Sequence, residues 1–428
     1  MADPAETDKR EQFIPIRVSD LIEVLCQNAG PTGDQKLSYD DRERFRKLAR
    51  LMAAYFHSTY HKRLLELKEE YSSFDPDADT REVFPVTDDE REIRQNAMFD
   101  DFIALLEKAN YRHFTREQFL ASSDGSSFWG IDMTVDWSCF ERIEVFARGS
   151  VIGRRSRRDS IRFWRKREYS VPNYQRLVII LKQNNSKRLG PTPDTRNIFL
   201  KLFKDIPQMD IEMVLPGTRL KMPRLERGKL GVSILTAVVY SIMKIAAAAA
   251  SLAGLFAGIL TSAAILPLAI VAGYGYKTWS GFQVTKQSYM LQLTKSLYYQ
   301  NLDNNGGVLF RLLDDAEEQE SREAILAYYF LTRFSGDTGW SAKELDAYIE
   351  LELETVLKME IDFEVSDALI KLQTMGLATA ETSPEGETKY RVIPVEAGIE
   401  SMMAKLSQIG DRDSRSGEAP SQSQSQQA

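Results

Sequence analysis

One stretch of the chain, residues 230–276, constrains the fold more than any other. Lys244 is its only charged residue, and the stretch is about twice the roughly 20 residues that one helix needs to cross a hydrocarbon core. Soluble helices of that length keep a polar face, which this stretch lacks. We therefore predict a transmembrane hairpin of two helices with its turn near Gly254, in preference to a buried hairpin inside a soluble core.

The composition of the hairpin fits two helices in contact. Small residues at helical spacing would let the helices approach closely in lipid; they are Ala246, Ala250, Gly254 and Gly258. Pro267 is expected to kink the second helix. Lys244 lies before the turn, where its side chain can extend to the far headgroups. The alternative is that Lys244 lines an ion path in an oligomer.

The flanking residues predict an orientation. Lys221, Arg224, Arg227 and Lys229 precede the hairpin, and Tyr274, Tyr276, Lys277 and Trp279 follow it. By the positive-inside rule both ends face the cytoplasm. The first twelve residues contain four carboxylates and no apolar run, which disfavours a secretory signal or a transit peptide. We expect a multi-pass protein of a bacterial inner membrane, in preference to the mitochondrial inner membrane.

The 428 residues are enough for two or three domains. Only two cysteines occur, Cys26 and Cys139, far apart and without metal-type spacing. They support neither a disulfide framework nor a zinc module, and a reducing compartment fits best. The net charge of -7 averages a basic middle over an acidic C-terminal third, so it predicts no single partner.

The predicted fold class is an α+β membrane protein with six segments. They are a helical N-terminal region (1–120), a small β-rich middle domain with a basic loop (121–225), the transmembrane hairpin (226–280), an amphipathic helical connector (281–320), a winged-helix-like module (321–409) and a disordered Ser/Gln-rich tail (410–428). In the middle domain we predict strands at about 132–137, 142–148, 174–183, 198–204 and 211–215. The apolar run 177–181 suits a strand covered on both faces.

Three helices followed by a β-hairpin give the C-terminal module the order of a winged helix. Ser341 and Glu344 form a capping-box pattern at the start of one helix. The candidate recognition helix offers only Lys371 against Glu364 and Asp367. Because phosphate repulsion would oppose docking, DNA is an unfavourable partner, and we expect a protein partner whose identity the sequence does not give.

A basic run in the middle domain is the strongest candidate for binding. Its lipid-binding candidates are Arg154, Arg155, Arg157, Arg158, Arg162, Arg165, Lys166 and Arg167, interleaved with Phe163 and Trp164. Such a run can neutralise the phosphates of anionic lipid or of nucleic acid. We favour lipid; a solvated loop and nucleic acid are the alternatives.

Two further groups could carry chemistry. His57 and His61 lie four residues apart on a predicted helix, a spacing that can hold a metal, but no third ligand is nearby, so no metal site is expected. Asp210 and Glu212 would share one strand face beside Asp205. They could bind Mg²⁺ or act as acid and base, yet no phosphate-binding loop accompanies them. Capping of a strand end, or pairing with nearby lysines, is the preferred interpretation.

A family resemblance lies directly before the hairpin, in IFLKLFKDIPQMDIEMVLPGTRLKM. Its matching positions are Leu200, Lys201, Phe203, Lys204, Asp205, Ile206, Pro207, Asp210, Glu212, Leu215 and Pro216, with FDPD at Phe74 to Asp77 as a weaker match. The segment resembles the hallmark of domain-of-unknown-function family 3754. That family is similar to a mitochondrial protein called transmembrane protein 143 and has many bacterial members. The resemblance implies a membrane protein and assigns no activity.

Together these patterns predict a membrane-anchored scaffold or interaction protein that contacts anionic lipid, without a cofactor and without catalytic activity. Two alternatives stay open. One is a membrane-bound enzyme that uses the carboxylates near Asp205, and the other is a membrane-tethered regulator that uses the winged helix. A homo-oligomer is also compatible with the sequence.

Overall fold

A computed structural model describes most of the chain outside the predicted hairpin. The described residues are 12–27, 36–80, 83–84, 86–115, 132–158, 166–221, 297–358, 360–382 and 386–416, with isolated positions between 276 and 294.

Three helices are present among the described residues of the N-terminal part. They are α1 (Val18–Gln27), α2 (Tyr39–Ser72) and α3 (Asp88–Lys108). The Ser38 hydroxyl accepts a hydrogen bond from the Asp41 N–H at the start of α2, and Thr87 forms a capping box with Glu90 at the start of α3. These side chains satisfy amides that the first helical turn leaves without partners, so both helix starts are encoded locally.

An antiparallel sheet of five strands follows. The strands are β1 (Arg112–Phe114), β3 (Phe140–Arg158), β4 (Lys166–Gln183), β5 (Ile198–Pro207) and β7 (Asn301–Asn304), in the order β1-β3-β4-β5-β7. A separate pair joins β2 (Asp132–Thr134) to β6 (Arg219–Lys221). Along β4, Val178 and Ile180 face one apolar core, whereas Leu177 and Ile179 face another. The predicted two-sided cover of this strand is confirmed.

The described C-terminal residues, from 305 to 416, contain four α-helices and a sheet of three short strands. In chain order they are α4 (Gly306–Phe334), β8 (Trp340–Ser341), α5 (Ala342–Leu357), α6 (Val365–Thr374), β9 (Ala378–Thr382), β10 (Thr388–Val392) and α7 (Val395–Ser416). The sheet order is β8-β10-β9. The predicted capping box of Ser341 and Glu344 is present at the start of α5. The winged-helix interpretation of these elements stays a prediction.

Helix α4 is the centre of the molecule. All residues from Gln319 to Leu331 are buried, because α1, α2, α3, α5 and α6 all pack against this helix. One continuous apolar core therefore includes residues from Ile14 near the N-terminus to Met402 on α7. The segments predicted as separate N-terminal and C-terminal domains share this core.

The membrane prediction is corrected by the described helices. None of them combines the length and the apolar character needed to cross a bilayer. Even α4, at 29 residues, contains Asp314, Asp315 and Arg322. This finding contradicts the predicted α+β membrane protein with a transmembrane hairpin and its multi-pass location, and the fold class is corrected to mixed α+β. The predicted hairpin residues Lys244, Gly254, Gly258 and Pro267, and Trp279 after them, lie outside the described part of the chain.

Two local predictions also need correction. The strand predicted at 211–215 is a 3-10 turn, Gln208–Val214. The Thr218 hydroxyl donates to the carbonyls of Glu212 and Leu215, which closes the chain into a turn despite its alternating apolar residues. At the other end, α7 continues to Ser416, past the predicted start of the tail at 410; residues 417–428 lie outside the described part.

Candidate functional site

Three segments that are distant in sequence meet where β5, β7 and the start of α4 come together. Asn305, which is buried, joins them. Its Oδ1 accepts from the Leu200 N–H at 3.2 Å, and its Nδ2 donates to Asp77 Oδ2 at 2.6 Å. The Asn305 N–H donates to the Leu200 carbonyl at 2.9 Å. The FDPD segment, the family motif on β5 and residues 304–307 (NNGG) thus form one site. We call this site the motif junction.

Lys201 is the charged member of the family motif at this junction. Its Nζ donates to Asn304 Oδ1 at 2.9 Å. Burial lowers the pKa of Lys201, and the Asp77 carboxylate partly opposes that effect. Gly306 and Gly307 approach the carboxylates of Asp75 and Asp303, since a Cβ at either glycine would contact those side chains. The polar groups of the junction bind one another, which is the arrangement of a structural clamp.

The other motif residues are spread along β5 and the turn after it. Phe203 is buried in the smaller core, which also contains Leu177 and Ile179 of β4. Pro207 lies opposite Asn173 on β4. Lys204 is half-buried and lies opposite Arg176, whereas Asp205 is exposed. Asp210 and Glu212 are on the 3-10 turn, and Pro216 follows it.

The carboxylates near Asp205 are therefore not aligned on one strand. Asp205 has a positive φ of 54° at the end of β5, and its carbonyl accepts from Gln300 Nε2 at 2.8 Å. Within the described ranges, no group of three or more His, Cys, Asp or Glu side chains is arranged to hold a metal ion. His57 contacts Glu317 at 3.1 Å, and its ring lies 6.3 Å from that of His61.

The described residues of the basic run lie on a two-stranded arm formed by β3 and β4. The pairing with β1 ends at Ala147, and the pairing with β5 ends at Asn173. Beyond these points, in the described residues, β3 and β4 pair only with each other, from Ile152 opposite Pro172 to Arg158 opposite Lys166. At about 3.3 Å per residue the arm extends roughly 20 Å past the sheet. Ile152 at its base is 74% exposed.

The register places like charges opposite one another near the end of the arm. Arg157 pairs with Arg167, and Arg158 pairs with Lys166. Like charges at directly opposed positions destabilise a pair of strands. Arg154 and Arg155 are also on β3, whereas Arg162 and Arg165 lie outside the described residues.

A network of charged side chains lies between α4 and α6. Lys371 Nζ is 2.8 Å from Glu323 Oε2, 2.6 Å from Asp367 Oδ2 and 3.8 Å from Glu320 Oε1. Burial raises the pKa of Glu323, which is 2% exposed, and Lys371 opposes that shift. Burial, with the charges of Glu323 and Asp367, raises the pKa of Glu364 to about 6. Lys371, the one basic residue of the candidate recognition helix, is thus a largely buried ion-pair partner.

A cavity of about 180 Å³ lies between α2, α4 and α7. Phe45, Tyr329 and Val395 supply part of its apolar lining. Arg44 pairs with Glu396 at 2.7 Å at its edge. The sequence did not indicate this cavity, because its lining comes from three helices that are distant along the chain.

The comparisons with known proteins extend the family resemblance but supply no activity. A family model described as Protein of unknown function (DUF3754) matches residues 174–307. The match runs from β4 through the family motif to Gly307, and it includes Lys201 and Asn305 of the motif junction. It supports the resemblance carried by the motif on β5. No solved structure matches the chain.

Proposed function

We propose that this protein is a non-catalytic interaction protein whose basic arm binds anionic lipid headgroups from one side of a bilayer. The observation that carries the proposal is the projecting pair of strands with like charges opposed in register. Neutralisation by anionic headgroups would remove the repulsion between these charges.

The number of charges favours binding at physiological salt. Six basic residues lie in the paired segments of the arm, and Glu168 is the only acidic residue among them. The basic residues are Arg154, Arg155, Arg157, Arg158, Lys166 and Arg167. Each basic residue near an anionic bilayer contributes about 1 kcal/mol.

The residue types between the strands favour lipid over nucleic acid. The chain that connects β3 to β4 contains Phe163 and Trp164, and tryptophan is enriched at the headgroup level of bilayers. The exposed Ile152 adds apolar surface at the base of the arm. A basic segment with apolar residues is typical of proteins that bind the lipid interface.

The C-terminal module is assigned to protein contacts in this proposal. Lys371, the only basic residue of α6, is held by Glu323 and Asp367, which leaves α6 without a cation for DNA phosphates. The carboxylates near Asp205 are not proposed as catalytic, because Asp205 lies on β5 whereas Asp210 and Glu212 lie on the turn after it. Similarity to mitochondrial transmembrane protein 143 remains a prediction.

The test compares two charge variants of the full chain in sedimentation with vesicles. Replacing Arg154, Arg155, Arg157 and Arg158 by Gln should strongly reduce binding to vesicles rich in phosphatidylserine. The matched control replaces four exposed basic residues elsewhere, Lys36, Lys47, Arg50 and Lys62, and should bind nearly as well as the wild type. Added salt should weaken wild-type binding, because the attraction is electrostatic.

Three results would contradict the proposal. Equal wild-type binding to phosphatidylcholine vesicles would show that charge is not the cause. If the two variants lost binding equally, net charge would be responsible and the arm would have no specific role. Retention of a nucleic acid by the wild type, without vesicle binding, would replace lipid with nucleic acid as the ligand.

A further inference from the structure

Residues 12–14, just before α1, lie in a polar cleft whose side chains form hydrogen bonds to their backbone. The Ile14 N–H donates to Gln319 Oε1 at 3.2 Å, and Gln319 Nε2 donates to the Gln12 carbonyl at 3.2 Å. The same carbonyl accepts from Asn110 Nδ2 at 2.9 Å. The buried side-chain amide of Gln319 on α4 thus both accepts from and donates to the backbone of this segment, as the backbone of a neighbouring strand would.

The ring of Phe13 lies close to two arginine side chains. The guanidinium of Arg148 is 3.9 Å from the centre of the ring, and that of Arg322 is 5.3 Å from it. Both arginine side chains are 5% exposed, so the attraction between cation and ring acts where water is largely excluded. The next residue, Ile14, is fully buried in the main core.

The groups that form the cleft are held in place by contacts that do not involve the segment. Gln319 also donates to Glu323 at 2.7 Å and accepts from Arg322 at 3.2 Å. Asn110 donates to Glu323 at 3.2 Å, and Arg148 pairs with Asp315 at 3.0 Å. These groups come from α4, from β3 and from the connection between α3 and β1. A cleft built on such elements is preorganised for a ligand.

From these contacts we infer that the cleft is a peptide-binding site for an extended segment in which an aromatic residue precedes a branched aliphatic one, and that residues 12–14 occupy it in cis. Gln319 and Asn110 recognise the backbone, the two arginines recognise the aromatic ring, and the core recognises the aliphatic side chain. A partner protein that carries such a segment binds by displacing Gln12, Phe13 and Ile14.

Because residues 12–14 of the same chain occupy the cleft, they lower its apparent affinity for a partner. Because the internal segment competes, the apparent affinity for an added peptide is reduced by the fraction of molecules whose cleft is open. Weakening the internal segment therefore tightens the binding of an added peptide. If residues 12–14 never leave the cleft, weakening the segment lowers stability without any gain in peptide binding.

The experiment uses the full chain and a fluorescent peptide of residues 10–16, REQFIPI, with fluorescence anisotropy as the readout. The Phe13→Ala protein should bind the peptide about tenfold more tightly than the wild type does, since its own segment competes less well. The matched control peptide, with Ala in place of Phe, should bind at least tenfold more weakly. Adding Gln319→Ala to the Phe13→Ala protein should abolish the gain.

The proposal fails if folded Phe13→Ala protein, checked by circular dichroism, shows no saturable binding of the peptide. It also fails if the control peptide binds equally well. If Phe13→Ala does not fold, Phe13→Leu decides the question, because leucine keeps apolar bulk at this position and removes the ring. Tighter binding of the peptide to Phe13→Leu than to the wild type supports the site, and unchanged binding overturns it.

Discussion

Asn305 shows how one side chain can hold three segments of this fold together. It is buried, has a positive φ of 48°, and bonds to both Leu200 and Asp77. Replacing it by alanine would leave the buried Leu200 N–H without its side-chain partner and would retain the unfavourable φ. We expect Asn305→Ala to lower the free energy of unfolding by about 2–4 kcal/mol, as measured by urea denaturation.

Asn304 provides the matched control at the neighbouring position. Its Oδ1 accepts one hydrogen bond, from the half-buried Lys201, so Asn304→Ala should cost less than about 1 kcal/mol. Equal effects of the two substitutions would show that the motif junction is not the clamp described above.

Glu364 should make stability depend on pH. Its folded pKa of about 6 exceeds the reference value of 4.5, so the folded state binds a proton more tightly than the unfolded state does. The resulting stabilisation is fully present below about pH 4.5 and is lost as the pH rises through 6. Glu364→Gln should therefore be more stable than the wild type at pH 8, by about 1 kcal/mol after solvent screening of this half-exposed group.

The measurement is the midpoint of urea denaturation between pH 4 and pH 8 for the wild type and Glu364→Gln. The two midpoints should converge at the acidic end and separate above pH 6. Glu360, which is exposed, supplies the control: Glu360→Gln should follow the wild type at every pH. Parallel curves for Glu364→Gln and the wild type would show that Glu364 does not titrate in this range.

At the scale of elements, the sequence predicted the strands and helix starts that local patterns determine. The apolar run of β4 indicated a strand with two covered faces, and the capping box of Ser341 with Glu344 marked the start of α5. The arm was predicted only as a basic loop, because consecutive arginines hide the alternation that identifies a strand. The pairing of the arm depends on contacts between β3 and β4, and a local sequence pattern cannot predict such contacts.

The candidate sites were harder to predict than the elements. The FDPD segment and the motif on β5 were singled out, but only the tertiary structure connects Asp77 to Asn305. The peptide cleft was not predicted, since Gln319, Arg148 and Asn110 come from three distant parts of the chain. Separate local patterns cannot reveal a site whose members are brought together by packing.

Gly339 tests how closely β8 and β10 approach. It has a φ of 71°, and a Cβ there would lie 2.7 Å from the Tyr390 carbonyl oxygen. Backbone atoms cannot yield as a flexible side chain does, so Gly339→Ala should destabilise the protein by about 2–4 kcal/mol. Thermal denaturation followed by circular dichroism measures the effect.

The control is Gly386, which has a φ of 85° but no heavy atom within 4 Å of a built Cβ. Gly386→Ala should cost only the strain of a positive φ, about 1 kcal/mol. If Gly339→Ala were no worse than Gly386→Ala, the close approach to β10 would be incorrect.

At the scale of the whole molecule, the N-terminal and C-terminal parts complete one core. The rings of Phe45 on α2 and Tyr329 on α4 are 5.2 Å apart with an edge-on geometry. A Cβ at Gly398 on α7 would lie 3.1 Å from Leu48 of α2. A fragment of residues 306–416 would expose the surfaces that α2 covers, so we expect it to be unfolded or aggregated alone.

Co-expression of residues 12–221 should restore folding of the 306–416 fragment, because that piece contains α2. The measurement is the dispersion of amide resonances in a two-dimensional NMR spectrum of the labelled fragment, alone and with its complement. A well-dispersed spectrum of the fragment alone would instead establish an independent C-terminal domain, as the sequence predicted.

The packing of α2 against α4 and α7 also has a consequence for synthesis on the ribosome. Helix α2 ends at Ser72, whereas α7 ends at Ser416. At about 5–20 residues per second, the nascent chain carries α2 for roughly 15–70 s before both of its partners have been translated. During that interval α2 can contact α1 and α3, but the part of its apolar face that α4 and α7 cover still lacks one or both of those partners. We therefore expect a holding chaperone to bind there until translation is nearly complete.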